Sequence, residues 1–228
     1  MEPDTLTTLT AEVAACGQCP RLAGWRESAA ANPPARFAHE PYWARPLPGF
    51  GDPGAGGIVV GLAPAAHGGN RTGRLFTGDR SGDFLFASLH RTGFSNQPES
   101  ISVDDGLLLT DSFISAVARC APPDNKPTPQ ERSACLPYLI RELRLLTRLR
   151  VIVALGSFAW DGALLALRDP GFLASPRPAF GHLAEVSVGP FTLLGSYHPS
   201  QQNTFTGRLT PPMLDAVMVR ARELSGLD

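Results

Sequence analysis

Two short runs decide the fold class: residues 57–61 read Gly-Ile-Val-Val-Gly, and residues 151–156 read Val-Ile-Val-Ala-Leu-Gly. Apolar, β-branched runs that end in glycine are typical of strands buried on both faces. Residues 129–149, with leucine and isoleucine at helical spacing, lead directly into the second run. Strands separated by helices predict a mostly parallel sheet covered by helices on both faces.

The rest of the chain continues this alternation. Residues 20–57 are rich in Pro, Gly and Arg without a clear period, and they are predicted to form a long ordered loop. No internal repeat or low-complexity linker divides the sequence, so we expect residues 1–228 to form a single domain with an N-terminal cysteine-containing helix. Further helices are predicted at residues 6–15, 81–92, 158–167 and 211–224, a further strand at 107–118, and a strand pair at 184–196.

Charge and composition exclude several classes of protein. Twenty Lys and Arg against 21 Asp and Glu leave a formal net charge of -1, so a nucleic-acid partner would need a local basic patch. No apolar run approaches the roughly 20 residues of a membrane helix, and the polar start lacks the features of a signal peptide. We therefore expect a cytoplasmic protein whose cysteines are not disulfide-bonded, and no membrane partner.

Three polar segments follow predicted strands: residues 61–80, 119–129 and 196–208. In parallel sheets ligands bind at the carboxyl ends of the strands, so these segments are expected to share one rim. The spacing of a dinucleotide fingerprint is missing after the first strand, and neither Ser157 nor Ser200 has the frame of a hydrolase nucleophile elbow. The rim therefore predicts neither a dinucleotide site nor acyl hydrolysis.

The four cysteines form a second candidate site. Cys16 and Cys19 are separated by two residues, and Cys120 and Cys135 lie far along the chain. This spacing fits a four-thiolate site that closes a long loop, with zinc, an iron–sulfur cluster or unligated core thiols as alternatives.

Together these motifs resemble one family. Residues 61–67 (GLAPAAH) with 70–79 (NRTGRLFTGD), then 119–127 (RCAPPDNKP) and 198–203 (HPSQQN), are similar to the three motifs of the family 5 uracil-DNA glycosylases, the type-B branch of the iron-sulfur uracil-DNA glycosylases. The four cysteines occur in the matching order. The resemblance spans most of the chain from Cys16 to Pro212.

The resemblance implies a three-layer α/β/α fold with a central four-stranded, mostly parallel sheet. It implies a [4Fe-4S] cluster on Cys16, Cys19, Cys120 and Cys135, with zinc as the second choice. It also implies excision of uracil and of other deaminated or oxidised bases from DNA, leaving an abasic site. We expect the protein to be a monomer that acts on duplex or single-stranded DNA. The alternative function is a non-catalytic, metal-clamped nucleic-acid-binding module.

Two alanines distinguish this branch from its relatives. Ala63 stands where sister families carry a polar residue that polarises water, and Ala116 stands where family 4 places a uracil-reading asparagine. A less polar pocket discriminates less strongly between bases, so the sequence predicts a substrate range wider than uracil.

The chemistry assigns roles to the motif residues. Extruding a base needs phosphate contacts and a wedge; stabilising the leaving base needs fixed donors. His198 is predicted to donate to the leaving base, Asn125 to read its edge, and Asp79, or else Asp83, to assist water unless it caps the helix near Ser81. The predicted base-binding residues are Gly61, Leu62, Ala63, Phe76 and His67. The predicted DNA contacts are Arg71, Arg74, Gln201, Gln202, Asn203 and Arg208. Among these, the three arginines are expected to bind phosphates, and Gln201 and Gln202, with Thr204, are placed where a wedge loop would enter.

Overall fold

The computed structural model describes residues 4–169 and 171–227, which contain one mixed six-stranded sheet. Its strands in chain order are β1 (Phe50–Gly51), β2 (Gly57–Gly61), β3 (Ser112–Ala116), β4 (Val151–Leu155), β5 (Glu185–Val188) and β6 (Phe191–Ser196). The order across the sheet is β1-β3-β2-β4-β6-β5.

Four strands form the parallel centre of the sheet. β3, β2, β4 and β6 run parallel, with Val59 of β2 opposite Ile114 of β3 and Val153 of β4. β1 and β5 pair antiparallel at the two edges. The predicted parallel centre and the predicted strand pair at residues 184–196 are therefore confirmed, while the strand count is six rather than four because short strands flank both edges.

Eight α-helices occur in the described residues, and four of them cover the sheet. They are α1 (Leu6–Ala14), α2 (Pro20–Ala31), α3 (Gly69–Thr72), α4 (Arg80–Arg91), α5 (Pro129–Leu145), α6 (Ser157–Arg168), α7 (Gln201–Phe205) and α8 (Pro211–Ser225). Short 3-10 helices lie at Ala35–Phe37 and Pro123–Asn125.

Alternating strand side chains separate two cores. Ile58 and Val60 of β2 pack with α5 and α6, whereas Val59 packs with α4 and α8 on the opposite face. Because successive side chains of a strand point to opposite faces, an all-apolar strand serves both cores. The predicted three-layer arrangement is confirmed.

Residues 20–57 are not a continuous loop. Pro20 stands in the first turn of α2, where its fixed φ favours helix formation and its missing N–H costs nothing. Only two residues of this helix, Leu22 and Ala29, are buried, so the sequence has almost no apolar periodicity that could reveal the helix. The long-loop prediction was wrong for this reason.

Two element boundaries also differ from the prediction. The strand predicted over residues 107–118 is confined to β3, because Asp105 Oδ1 and Asn96 Oδ1 accept from the amides of Leu107 and Leu108 and hold that stretch in a loop. α5 ends at Leu145, short of the predicted residue 149.

A buried ion pair joins the end of β3 to α5. Arg119 donates to both carboxylate oxygens of Glu142 at 2.9 and 2.6 Å, and both side chains are at most 2% exposed. Ser115 and the Gly49 amide also donate to Glu142. The carboxylate is thus fully paired, which a buried charge requires.

Within the described residues, no helix has both the length and the apolar character needed to cross a membrane. Met1, Glu2 and Pro3, which contribute to the expectation that no signal peptide is present, lie outside the described residues.

Candidate active site and cysteine centre

The three polar segments meet at the carboxyl ends of β2, β3 and β6, as predicted. Between them lies a cavity of about 450 Å³, called here the rim cavity. Its lining residues are Leu62, Ala63, Pro64, Ala65, Leu75, Phe76, Asp79, Arg80, Ser81, Asn125, His198, Ser200, Gln201 and Gln202.

Phe76 forms one wall in a conformation that two glycines make possible. Its φ is +54°, in the left-handed region that non-glycine residues seldom adopt. A Cβ on Gly61 would lie 2.6 Å from the Phe76 ring, and a Cβ on Gly82 would lie 1.8 Å from its carbonyl oxygen. Gly61, one of the predicted base-binding residues, is therefore required because any side chain at this position would collide with the Phe76 ring.

His198 faces Phe76 across the cavity, with 6.2 Å between ring centroids. Burial lowers the pKa of His198 to about 4, so the imidazole is neutral at neutral pH and has one N–H to donate. Asn203 Nδ2 donates to the His198 carbonyl at 2.8 Å. Asn203 thus fixes the histidine segment, a role different from the predicted DNA contact.

Backbone amides also border the cavity. Nothing in the described residues accepts a hydrogen bond from the amides of Leu62 and Ala63. The carbonyls of the same two peptide groups, those of Gly61 and Leu62, accept from the amides of Val117 and Ala118 and hold this turn against the end of β3. The free amides can serve an anionic oxygen.

Asp79 is the N-cap of α4, one of the two roles that the sequence left open. Its Oδ1 accepts from the amides of Ser81 and Gly82 at 2.9 and 3.0 Å. Its Oδ2 has no hydrogen-bond donor among the described residues and lies where a Cβ on Gly68 would be, 2.1 Å away. Burial raises the pKa of Asp79, opposed by the two amides. One carboxylate oxygen therefore remains for another partner.

A larger depression of about 930 Å³, called here the groove, adjoins the rim cavity. The two share Ala65, Asp79, Arg80, Asn125 and Gln201. Asp83 and His67 line the groove and not the rim cavity, which places Asp79 closer than Asp83 to the cavity residues. His67 Nδ1 is 3.0 Å from Tyr42 Oη, and burial, with Arg36 and Arg71, lowers the pKa of His67.

Two predicted phosphate contacts have internal partners instead. Arg74 is 8% exposed; it pairs with Asp105 at 2.6 Å and donates to Ser100 and Thr77. Arg71 pairs with Glu40, donates to the carbonyls of His67 and Gly78, and lies over the Phe37 ring. The predicted phosphate contact of Arg74 is wrong because its guanidinium is buried and hydrogen-bonded to internal acceptors. The contacts of Arg71 hold the wall of the groove in place.

The segment after β6 keeps the other predicted contacts exposed. Gln201 and Gln202 lie at the start of α7 against the rim cavity. Arg208 is exposed with its guanidinium 4.6 Å from the Tyr197 ring centroid. Phe205, which the sequence analysis passed over, is 73% exposed at the end of α7. A phenylalanine inside a polar run was the signal that could have identified it.

The four cysteines converge between α1, α2, β3 and α5. Burial raises the pKa of Cys120 to about 11 and also raises the pKa values of Cys19 and Cys135, with smaller contributions from the neighbouring thiols. Cys16 is one of those neighbours in each case. Each thiol therefore lies within electrostatic range of others in the set.

Hydrogen-bond donors point at three of the four sulfurs. Arg26 Nη1 is 3.2 Å from Cys120 Sγ, the Arg119 amide donates to Cys135, and Tyr138 hydrogen-bonds to Cys16. The buried Nε of Arg26 has no acceptor within the described residues. No set of three or more His, Cys, Asp or Glu among those residues has the spacing of a single-ion site. The donors suit thiolates that hold a cluster.

Comparison with known proteins gives a consistent result. The profile of the uracil DNA glycosylase superfamily matches residues 48–221. A type-5 uracil-DNA glycosylase of Mycobacterium leprae is 50% identical over 226 residues, covering 98% of this chain and 97% of that protein. That of Thermus thermophilus is 52% identical over 214 residues, covering 93% and 95%, and that of Pyrobaculum aerophilum is 44% identical over 211, covering 92% and 89%.

The capping role of Asp79 predicts a difference between two substitutions. Asp79→Ala should lower the free energy of unfolding by about 1 kcal/mol, because two α4 amides lose their acceptor. Asp79→Asn retains an acceptor oxygen and should stay within a few tenths of wild type. Chemical denaturation of both variants measures this; equal loss in the two would contradict a cap that needs only an oxygen.

Proposed function

Since the chain belongs to the type-5 uracil-DNA glycosylases, we propose that it draws a uracil nucleotide out of DNA into the rim cavity and cleaves the N-glycosidic bond there, leaving an abasic site. The observation that supports this is the convergence of Phe76, His198, Asp79 and Asn125 on one cavity of about 450 Å³, a volume typical of small-molecule sites. The partner is DNA; the monomeric state and the cytoplasmic location stay predictions.

Base extrusion leaves a gap in the duplex that an apolar side chain can fill. Wedge residues in DNA-binding proteins enter between base steps and offset part of the unstacking cost of a few kcal/mol. Phe205 is exposed on α7, the helix whose other end reaches the rim cavity through Gln201 and Gln202. We assign the wedge to Phe205, with Arg208 available to a phosphate.

Bond cleavage builds negative charge on the leaving base and positive charge on the sugar. A neutral His198 donates its one N–H to the base oxygen as the charge develops, and the free amides of Leu62 and Ala63 are further donors. Donors fixed in advance stabilise a developing anion strongly in a site that excludes water. The Phe76 ring offers the flat surface against which the base lies.

The water and the sugar cation need a carboxylate, which Ala63 cannot supply. Asp79 borders both the rim cavity and the groove, and its Oδ2 is free while Oδ1 caps α4. Because Oδ1 is held by the amides of α4, the direction of Oδ2 is fixed. The Asp79 side chain thus caps the helix with one oxygen and acts on the substrate with the other. Asp83 is exposed and borders only the groove.

The substrate range is expected to include a purine deamination product such as hypoxanthine. Ala63 lines the rim cavity, and its methyl side chain has no polar group to read uracil. Ala116 is buried at the end of β3 and does not line the cavity, so only the first alanine supports the argument. Asn125, exposed with a φ of +55°, is the amide available to the base edge.

We infer that Cys16, Cys19, Cys120 and Cys135 hold a [4Fe-4S] cluster, with zinc as the alternative. Support comes from the converging thiols and from the donors directed at them, including the buried Arg26. When bound, the cluster supplies cross-linking rather than chemistry: its ligands come from the residues around α1 and α2, from the end of β3 and from α5, and none of them lines the rim cavity.

The central test is excision by wild type and His198→Ala. Under excess enzyme, wild type should convert uracil and hypoxanthine duplexes to abasic products and leave normal thymine or adenine pairs intact. His198→Ala should lose about 100- to 1000-fold in rate while binding an abasic-site duplex nearly as well, because a donor to the transition state is lost. His90→Ala, exposed on α4, is the control.

The outcomes separate the alternatives. Absence of abasic product would leave the non-catalytic binding module. A loss of binding as large as the loss of rate would show that His198 positions DNA. Asp79→Asn, which keeps the cap, should also slow excision if its free oxygen acts on the substrate; unchanged excision would assign Asp79 to the cap alone.

A wedge residue is needed only where stacked base pairs of a duplex must be separated. Phe205→Ala should therefore slow uracil excision from duplex DNA by about 10-fold or more, from an unstacking cost of a few kcal/mol, and leave excision from single strands within about 2-fold. Leu173→Ala, equally exposed but distant in sequence, is the control. Equal slowing on both substrates would rule out the wedge.

The cluster proposal predicts brown protein with iron and acid-labile sulfide in equal amounts. Cys120→Ala should be colourless and less stable, because the binding energy of a thiolate site is folding energy. Ser133→Ala, exposed on the helix that carries Cys135, should remain brown. Colourless wild-type protein containing zinc would contradict the cluster.

A further inference from the structure

The groove has a wall that the excision chemistry does not use. This wall is formed by Trp25 of α2, by Arg36 and Phe37, and by Ile101. None of these residues belongs to the three motifs after β2, β3 and β6. A surface of this kind beside a base-binding cavity is placed to contact the nucleotides that flank the extruded one.

The charged residues of the groove do not account for the binding of a DNA strand. Arg36, Arg71 and Arg80 line it together with Asp79, Asp83 and Asp124, so the formal charges cancel. Arg71 is already paired with Glu40. The groove therefore exerts little net electrostatic attraction on the phosphates of DNA. Contact with a DNA strand must come from the groove's apolar and aromatic surface.

Trp25 is the aromatic residue with a free ring. The Phe37 ring already carries the guanidinium groups of Arg71 and Arg36, at 4.0 and 4.7 Å from its centroid. Trp25 is 38% exposed, and no aromatic ring or guanidinium of the described residues packs over it. Bases stack on such rings without regard to sequence.

The cysteine centre fixes the position of Trp25. α2 begins after Cys19, Arg21 pairs with Glu131 of α5, and the next residue after Trp25, Arg26, donates to Cys120 Sγ. Asn70 Nδ2 donates to the Arg26 carbonyl and ties α2 to the groove segment. An indole held on a tethered helix loses little freedom on binding.

We propose that Trp25 is a DNA contact outside the excision cavity, with its indole stacked on a nucleotide that flanks the extruded base. The proposal rests on the proposed DNA-glycosylase function. It gives the cysteine-tethered helix a direct part in substrate binding: the helix presents the stacking surface, and the rim cavity carries out the cleavage.

The chain supplies a matched control for the test. Trp43 is 40% exposed, its Nε1 donates to the Pro46 carbonyl, and it lines neither cavity. The third tryptophan, Trp160, is fully buried. Titration of holoenzyme with a single-stranded and a duplex oligonucleotide carrying a tetrahydrofuran abasic-site analogue compares Trp25→Ala with Trp43→Ala.

Trp25→Ala should weaken binding by about 5- to 150-fold, the range for loss of one stacked base, and Trp43→Ala should stay within about 2-fold. Trp25→Phe keeps a ring and should retain most affinity while losing the indole fluorescence quench on binding; Trp43→Phe should keep the quench. Single-turnover excision at saturating enzyme should match wild type in Trp43→Ala and Trp43→Phe.

Two results would overturn the proposal. The first is a Trp25→Ala affinity equal to wild type, and the second is a quench that persists in Trp25→Phe. Wild-type excision of uracil in the same preparation separates these failures from a failure of the proposed function: an enzyme that excises but is indifferent to Trp25 refutes the stacking contact alone.

Discussion

The ion pair between Arg119 and Glu142 is the constraint on which the rest of the structure depends. It is buried, bidentate and completed by Ser115 and the Gly49 amide, so neither charge is left unpaired. Arg119 directly precedes Cys120, and Glu142 stands two helical turns after Cys135 on α5. One interaction therefore sets the relative position of two of the cysteines, and through the Arg119 carbonyl, which accepts from Leu47, it also fixes the segment before β1.

The base-binding wall depends on a second constraint, the packing around Phe76. Its left-handed backbone persists because the absence of side chains at Gly61 and Gly82 lets β2 and α4 approach it from two sides. Such strained residues remain only where the surroundings determine them fully, and they cluster at functional sites. The ring, the capped Asp79 and the neutral His198 are thus positioned before any substrate arrives.

Local pattern was enough to predict the parallel centre of the sheet, the strand pair at its edge and the shared rim. Strong apolar runs and helical spacing are properties of neighbouring residues, and the carboxyl-end rule then brings the polar segments together. α2 was missed because it has no apolar stripe and is held instead by long-range contacts of Arg21 with Glu131 and of Arg26 with Cys120. The roles of Arg71 and Arg74 could not be predicted because their partners, Glu40 and Asp105, lie 31 residues away in sequence.

The antiparallel strands at the two edges of the sheet affect whether copies of the protein can associate through their sheets. A parallel sheet with open margins offers unpaired backbone groups to which a strand of another molecule can add, the first step of aggregation. Here one margin ends in β1, which has two residues, and the other in β5, whose Glu185 is held in an ion pair with Arg220. Short and charged edges resist strand addition, so copies of the chain can meet at high local concentration without polymerising through their sheets.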